Sequence, residues 1–447
     1  MPHPGNDERS PTQRRDFLKA TGAAAVGWQL AAGSGIGADK TAKEVLAVND
    51  GPKAVTYASR KHRDAFLWPR FAGKEEKAVL DVLRNPSYGP IDALENDWGK
   101  QFGAPYNKAH CNGTSALTSM FFALDLPPGS EIMVPSYTFF ASIMPMRLFG
   151  LVPVFVDVNP RTLNFDLDDA KRRLTRNTKA LLPVHWFGLP CDMDDICEFA
   201  EEKGLIVLED SAQAYGATLK DKYVGNWGRM AIFSFQLSKS ICGIEGGMGS
   251  YHDRDYYERA TTLGHYSVPA RFEKDSPYAR YYGTGLGLKF RIHPLAATLA
   301  RQQLDGLNQR TATVHAQVRR LNDRLVQLPG LSEQTVRDDV KRDYYSGNML
   351  FIDESEAGMS RDVAVKALQA EGVRAAAYVY RLQHKCEVYT ESQWWHHLPE
   401  IPELPGTEQV NRTAIRLPLF RIEVPELVDQ YIHAFEKVWA RRKQLGA

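Results

Sequence analysis

Two ionisable residues, each at the end of an apolar run, carry the chemistry this sequence can do. Leu205-Ile206-Val207-Leu208-Glu209-Asp210 has the pattern of a buried strand closing on two acids. Met230-Ala231-Ile232-Phe233 is a second such run, continued by Ser234-Phe235-Gln236-Leu237-Ser238-Lys239-Ser240 and then Glu245-Gly246-Gly247. Lysine is rarely buried unless it is paired or chemically used. Taken alone, Lys239 could equally cap a loop and reach solvent. Asp210 lies 29 residues upstream (239 − 210), and a strand-end acid with a strand-end amine suits pyridoxal phosphate. The acid keeps the pyridine nitrogen protonated, and the amine holds the aldehyde as a Schiff base.

Such a cofactor needs a phosphate cradle and a ring support. His110-Cys111-Asn112-Gly113-Thr114-Ser115 leads into Ala116, Leu117, Met120, Phe121 and Leu124 at helical spacing. Gly113, Thr114 and Ser115 at a helix start offer free N–H groups, hydroxyls and the positive end of the helix dipole. A plain helix cap explains the same residues when they are read alone. Phe139, just past the run 131–134, could lie against a pyridine face, although core packing is the commoner fate of an aromatic.

These residues have to be held by strands and helices in alternation. Apolar runs at 131–134, 151–156, 180–184 and 205–210 are separated by helical stretches. That pattern predicts a largely parallel sheet sandwiched by helices, with ligands gathered at the strand C-terminal ends. Helices are expected over 73–83 and 291–307. From about residue 314 the pattern changes: a long helix, a strand over 349–353, a helix over 360–370, strands over 373–378 and 414–417, and a last helix over 425–443. This is a smaller α+β unit, and a chain of 447 residues is long enough for two cores.

Formal net charge is +1 and no basic face is concentrated anywhere, which argues against nucleic acid as a partner. The five cysteines (Cys111, Cys191, Cys197, Cys242, Cys386) have no metal-ligand spacing and read as free thiols, so no metal is expected.

The first 38 residues read as an address. Gln13-Arg14-Arg15-Asp16-Phe17-Leu18-Lys19 before an Ala/Gly-rich run resembles a twin-arginine (Tat) export signal, with cleavage expected after Ala38. A disordered basic tail is the other reading. The signal implies export by the Tat machinery to the periplasm or cell envelope, or retention at the membrane if it is not cleaved. Residues 39–65 are expected to be a linker, 66–313 a large α/β domain with an N-terminal helical arm, and 314–447 the small domain.

Seven motifs, in order, carry a family resemblance. They are Gly113-Thr114-Ser115-Ala116-Leu117, Pro135-Ser136-Tyr137-Thr138-Phe139, Pro153-Val154-Phe155-Val156-Asp157, Pro183-Val184-His185-Trp186-Phe187-Gly188, Glu209-Asp210-Ser211-Ala212-Gln213, the Lys239 stretch with Glu245-Gly246-Gly247, and Arg416-Leu417-Pro418-Leu419. From about residue 66 to the C-terminus the chain resembles the DegT/StrS-type sugar aminotransferases, a branch of fold-type-I pyridoxal-phosphate enzymes. The resemblance implies that Lys239 is the cofactor lysine and proton shuttle, and that Asp210 pairs with the pyridinium nitrogen. It further implies that Gln213 sits near the ring oxygen, that Phe139 stacks on the ring, and that Gly113, Thr114 and Ser234 hold the phosphate.

It also implies a homodimer, a glutamate-type amino donor and a keto-sugar or keto-cyclitol acceptor. His185 and Lys289 become candidates for substrate or cross-subunit contact. The family's Thr-Lys-Asn reads Ser238-Lys239-Ser240 here, and Lys289 stands where an Asn commonly reaches the phosphate from the neighbouring subunit. A non-catalytic sensor or binding protein on the same fold is the rival function; no DNA-binding module supports it.

Overall fold

The computed structural model describes residues 44–446. The export signal and the first residues of the expected linker lie outside the described residues. Among those described, no helix is long and apolar enough to cross a membrane.

Among the described residues fourteen strands follow in chain order. β1 (Tyr106–His110), β2 (Glu131–Pro135), β3 (Val152–Val156), β4 (Thr178–Leu181) and β5 (Ile206–Asp210) come first. β6 (Thr218–Leu219) and β7 (Lys222–Tyr223) form a small hairpin, before β8 (Met230–Ser234) and β9 (Gly247–Tyr251). β10 (Leu331–Glu333), β11 (Val340–Lys341), β12 (Asn348–Ile352), β13 (Ala376–Ala377) and β14 (Ala414–Leu417) complete the set. Seven of them build the main sheet in the order β1-β9-β8-β5-β4-β2-β3. The pairs from β3 across to β8 are parallel, and only β9 runs against the rest. Every residue of β2, β8 and β9 is buried, because helices cover both faces and leave no place for alternation.

One face packs under helix Gly113–Ala123 through Ala116, Leu117, Met120, Ile132, Leu208 and Ile232. On the other, helix Met193–Lys203 packs Ile196 and Phe199 against Met133 and Val207. Beside it, helices Gly89–Phe102 and Pro294–Asp305 pack Trp98 and Ala300 against Phe233 and Ala109. This sandwich sets the C-terminal edges of β1, β2, β4, β5 and β8 side by side.

The second sheet is antiparallel, in the order β10-β12-β14-β13. Helices Arg361–Ala370 and Pro425–Ala440 cover it, with Leu368, Tyr431, Phe435 and Val438 in the core. Helix Gly73–Arg84 forms as expected. The helix expected over 291–307 is shorter, Pro294–Asp305; Gly306 breaks it, and a separate helix runs Leu307–Leu325. The domain boundary drawn at 313/314 therefore falls inside a continuous helix. The strand expected over 373–378 shrinks to Ala376–Ala377.

The expected linker is the larger correction. From Glu44 onward it is part of the small domain's core, with Leu46 at 4%, Val55 at 2% and Ala65 at 0% exposure. Glu371 accepts from the N–H groups of Ala47 (2.7 Å) and Ala54 (3.1 Å). Lys437 Nζ reaches Glu371 Oε2 at 2.9 Å and the Pro52 carbonyl at 2.8 Å. Its few apolar residues stand too far apart to make a period, so composition alone reads as linker.

Candidate active site

One cavity of about 500 Å³ opens at the C-terminal edge of the main sheet. Lys239 and Asp210 both line it, with Gly113, Thr114, Phe139, Gln213 and Ser234. Four strand ends, those of β1, β2, β5 and β8, supply these residues, as the parallel arrangement dictates.

Asp210 ends β5. Its Oδ2 accepts from Ser142 Oγ at 2.7 Å and its Oδ1 from the Ala212 N–H at 3.1 Å. Glu209, one residue earlier, points to the opposite face, as successive strand residues must. There it accepts from the N–H groups of Gly225, Trp227 and Gly228, each at 2.7 Å. Burial would raise the Glu209 carboxyl, but the hydrogen bonds from His185 and these amides hold it below the ordinary range.

The β1-to-helix turn makes the cradle. Asn112 caps helix Gly113–Ala123 by accepting from the Ser115 N–H at 2.8 Å. A Cβ on Gly113 would come within 3.0 Å of the Ser234 Cβ, so glycine lets the β8 end close against the helix start. Thr114 and the first-turn amides of the 11-residue helix then face the cavity. Gln213 Oε1 accepts from the Phe187 N–H at 2.9 Å, which holds Phe187 in a left-handed conformation (φ 54°) at the cavity wall.

Lys239 follows β8 in a turn closed by its N–H to the Gln236 carbonyl at 2.9 Å. Its Nζ lies 4.2 Å from the centroid of the Tyr345 ring, and the Tyr345 hydroxyl meets Ser238 Oγ at 2.9 Å. Lys239 is the one cationic side chain lining the cavity among the described residues.

Three expected site residues stand apart from the cavity. Ser115 turns its hydroxyl back to Asn112 Oδ1 at 3.0 Å, so it belongs to the cap. His185 is fully buried, not a substrate contact within this chain. Its Nδ1 accepts from the Cys191 N–H at 3.0 Å and its Nε2 donates to Glu209 at 3.1 Å, on the far face of the sheet. Lys289 is exposed in the glycine-rich segment and does not line this chain's cavity. Phe139 is at the cavity with about half its surface open (53%), its ring 4.4 Å from Phe140.

Other lining residues had no role assigned from sequence. Gln236, Ser238 and Glu245 flank the lysine, while Tyr345 and Ser346 enter from the segment before β12. Trp186 and Phe187 come from the turn after β4. Tyr378 and Tyr380 also line it, and burial pushes the Tyr380 phenol up to about 12. His384 and Trp395 go instead to packing, the first bonded to Ser136 Oγ at 2.6 Å.

A sequence model of the DegT/DnrJ/EryC1/StrS aminotransferase family matches residues 70–436. The chain belongs to that family. Its members are pyridoxal-phosphate enzymes, and the fold agrees with solved DegT/DnrJ/EryC1/StrS-type structures. An aminotransferase from Psychrobacter cryohalolentis is 27% identical with a TM-score of 0.76, over 84% of this chain and 99% of its own. 3-Amino-5-hydroxybenzoic acid synthase is 25% identical (TM-score 0.72; 84% and 98%). DesI, solved with its TDP-sugar product, is 25% identical (TM-score 0.73; 90% and 97%). The residues present fit the family's cofactor: an amine, a doubly oriented carboxylate and a helix-start anion cradle share one cavity.

Proposed function

We propose that this member of the DegT/DnrJ/EryC1/StrS family moves an amino group from an amino acid, glutamate by preference, to a keto-sugar or keto-cyclitol. The observation that carries the reading is the convergence of Lys239, Asp210 and the Gly113–Thr114 helix start on one cavity. DesI, which binds a TDP-sugar product, supports a sugar acceptor. The 3-amino-5-hydroxybenzoic acid synthase supports a carbocyclic one.

When bound, pyridoxal phosphate supplies an aldehyde that condenses with amines and a ring that accepts electrons from the carbon losing its proton. Gly113, Thr114 and Ser234 would hold the phosphate. Asp210, fixed by Ser142 and the Ala212 amide, would pair with the ring nitrogen and keep it protonated. Lys239 Nζ would hold the aldehyde at rest and, once displaced by the donor's amine, would take and return the migrating proton. Tyr345 and Ser238 keep the lysine turn in place. Trp186, Phe187, Tyr378 and Tyr380 form an aromatic wall suited to the apolar face of a sugar or cyclitol ring. A homodimer in which Lys289 reaches the partner's phosphate site, and twin-arginine export directed by Arg14-Arg15, complete the proposal.

The test is spectroscopic. The purified holoprotein is mixed with glutamate, and the visible absorbance is followed before and after a panel of keto-sugars and keto-cyclitols is added. Bleaching by glutamate and recovery with one acceptor is expected. A chromophore that no amino donor bleaches would leave a binding protein in place of an enzyme.

A further inference from the structure

Behind Lys239 lies a second cavity of about 250 Å³. Trp68, Arg70, Ser240, Arg310, Asp343 and Arg421 line it, three cations against one carboxylate. Both guanidinium groups lie near the Trp68 indole, with the Arg421 carbon 4.9 Å and the Arg310 carbon 5.5 Å from its ring centroid. No side-chain hydrogen bond or ion pair engages the Arg421 guanidinium among the described residues. Burial draws it down to about 10, which leaves it charged at neutral pH. Arg310 donates only to main-chain carbonyls, those of Gln303 and of Ser240 (3.3 Å). Facing them, Ser240 Oγ and Asp343 Oδ2 are buried without a hydrogen-bond partner.

Asp343 is the one counter-charge these cations have in the cavity lining; a desolvated guanidinium without a hydrogen-bonded acceptor is costly, and its planar fork matches the two oxygens of a carboxylate or phosphate. We propose that this cavity binds a small oxyanion, a phosphate or carboxylate group, between Arg310 and Arg421. The Ser240 hydroxyl supplies a further donor.

The two cavities share their walls. Trp68 Nε1 donates to the Lys239 carbonyl at 3.0 Å, and Arg310 holds the next carbonyl, that of Ser240. Asp343 lies two residues before Tyr345, whose ring covers Lys239 Nζ. An oxyanion that draws on Arg310 competes with the Ser240 carbonyl, and so acts on the main chain that carries the lysine. Occupancy of the rear cavity and affinity at the front are therefore coupled in both directions.

Holoprotein is titrated with inorganic phosphate, and separately with acetate, at constant ionic strength in a calorimeter. One saturable site per chain is expected, and the tighter of the two anions identifies the class. Arg421→Gln weakens it at least about tenfold, whereas Lys366→Gln, on the exposed face of helix Arg361–Ala370, leaves it unchanged. The proposal is overturned if neither anion binds saturably, or if Arg421→Gln binds as well as the parent. Should Arg421→Gln fail to fold, parent crystals soaked in selenate decide. An anomalous peak between Arg310 and Arg421 supports the site, and its absence removes it.

Discussion

Lys239 Nζ lies over the ring of Tyr345, 4.2 Å from its centroid, although the two come from turns beside different sheets. The tyrosine hydroxyl is tied to Ser238 at 2.9 Å, so the ring is fixed against the turn that carries the lysine. Tyr345→Phe keeps the ring and loses only that tie; turnover is expected to fall less than about threefold. Tyr345→Ala removes the wall and is expected to lower kcat roughly tenfold or more, in line with a partly desolvated cation–π contact. Steady-state kinetics on the two variants separates the ring from the hydroxyl.

Asp210 is held at both oxygens, by Ser142 and by the Ala212 amide. Asp210→Asn preserves shape and removes charge, and is expected to cost at least about 100-fold in kcat while the cofactor is still bound. Ser142→Ala withdraws one charge-assisted hydrogen bond and is expected to weaken cofactor binding about tenfold. Equilibrium cofactor titration together with kinetics checks both, and equal losses in the two variants would contradict this division.

Lys437 and Glu371 form an ion pair with side-chain exposures of 0% and 1%, and between them they fasten residues 47–54 to the small domain. Removing one partner of such a pair strands the other. Lys437→Met is expected to destabilise the protein by about 3 kcal/mol, read by urea unfolding. A change under 1 kcal/mol would mean the segment is held by its apolar contacts alone.

Acid sensitivity has a definite sign at Asp194. The Arg337 guanidinium, with Lys220 beside it, holds its carboxyl well below the ordinary range. A depressed folded value means the contribution is complete above the unfolded value, near about 4. It drains away as pH falls below that. Arg337 is a third exposed (34%), so Arg337→Gln is expected to cost only about 1 kcal/mol at pH 7. At pH 3 the gap from the parent narrows, because protonation has already taken part of the same stabilisation. Urea midpoints at the two pH values test this; a wider gap at pH 3 would reverse the sign.

The sequence was most legible where a buried strand ends in chemistry. Asp210 stands out because an apolar run leads directly into it, Lys239 because it follows shortly after another such run, and the Gly113 turn because its spacing marks a helix start. Tyr345 and Ser346 left no such trace. They sit in a turn before β12 and reach the cavity only through tertiary packing. His185 misled for the opposite reason: being at a strand end does not fix which side of the sheet a side chain faces, and Glu209 claims it on the far side. The segment before residue 66 was misread because isolated residues such as Leu46 and Val55 find their partners more than 300 positions away, around Glu371 and Gly372.

The most direct measurement is borohydride reduction of the holoprotein followed by peptide mass mapping. The account predicts a single pyridoxyl phosphate adduct on Lys239, lost in Lys239→Ala together with turnover. An adduct on another lysine, or full activity in Lys239→Ala, would contradict it.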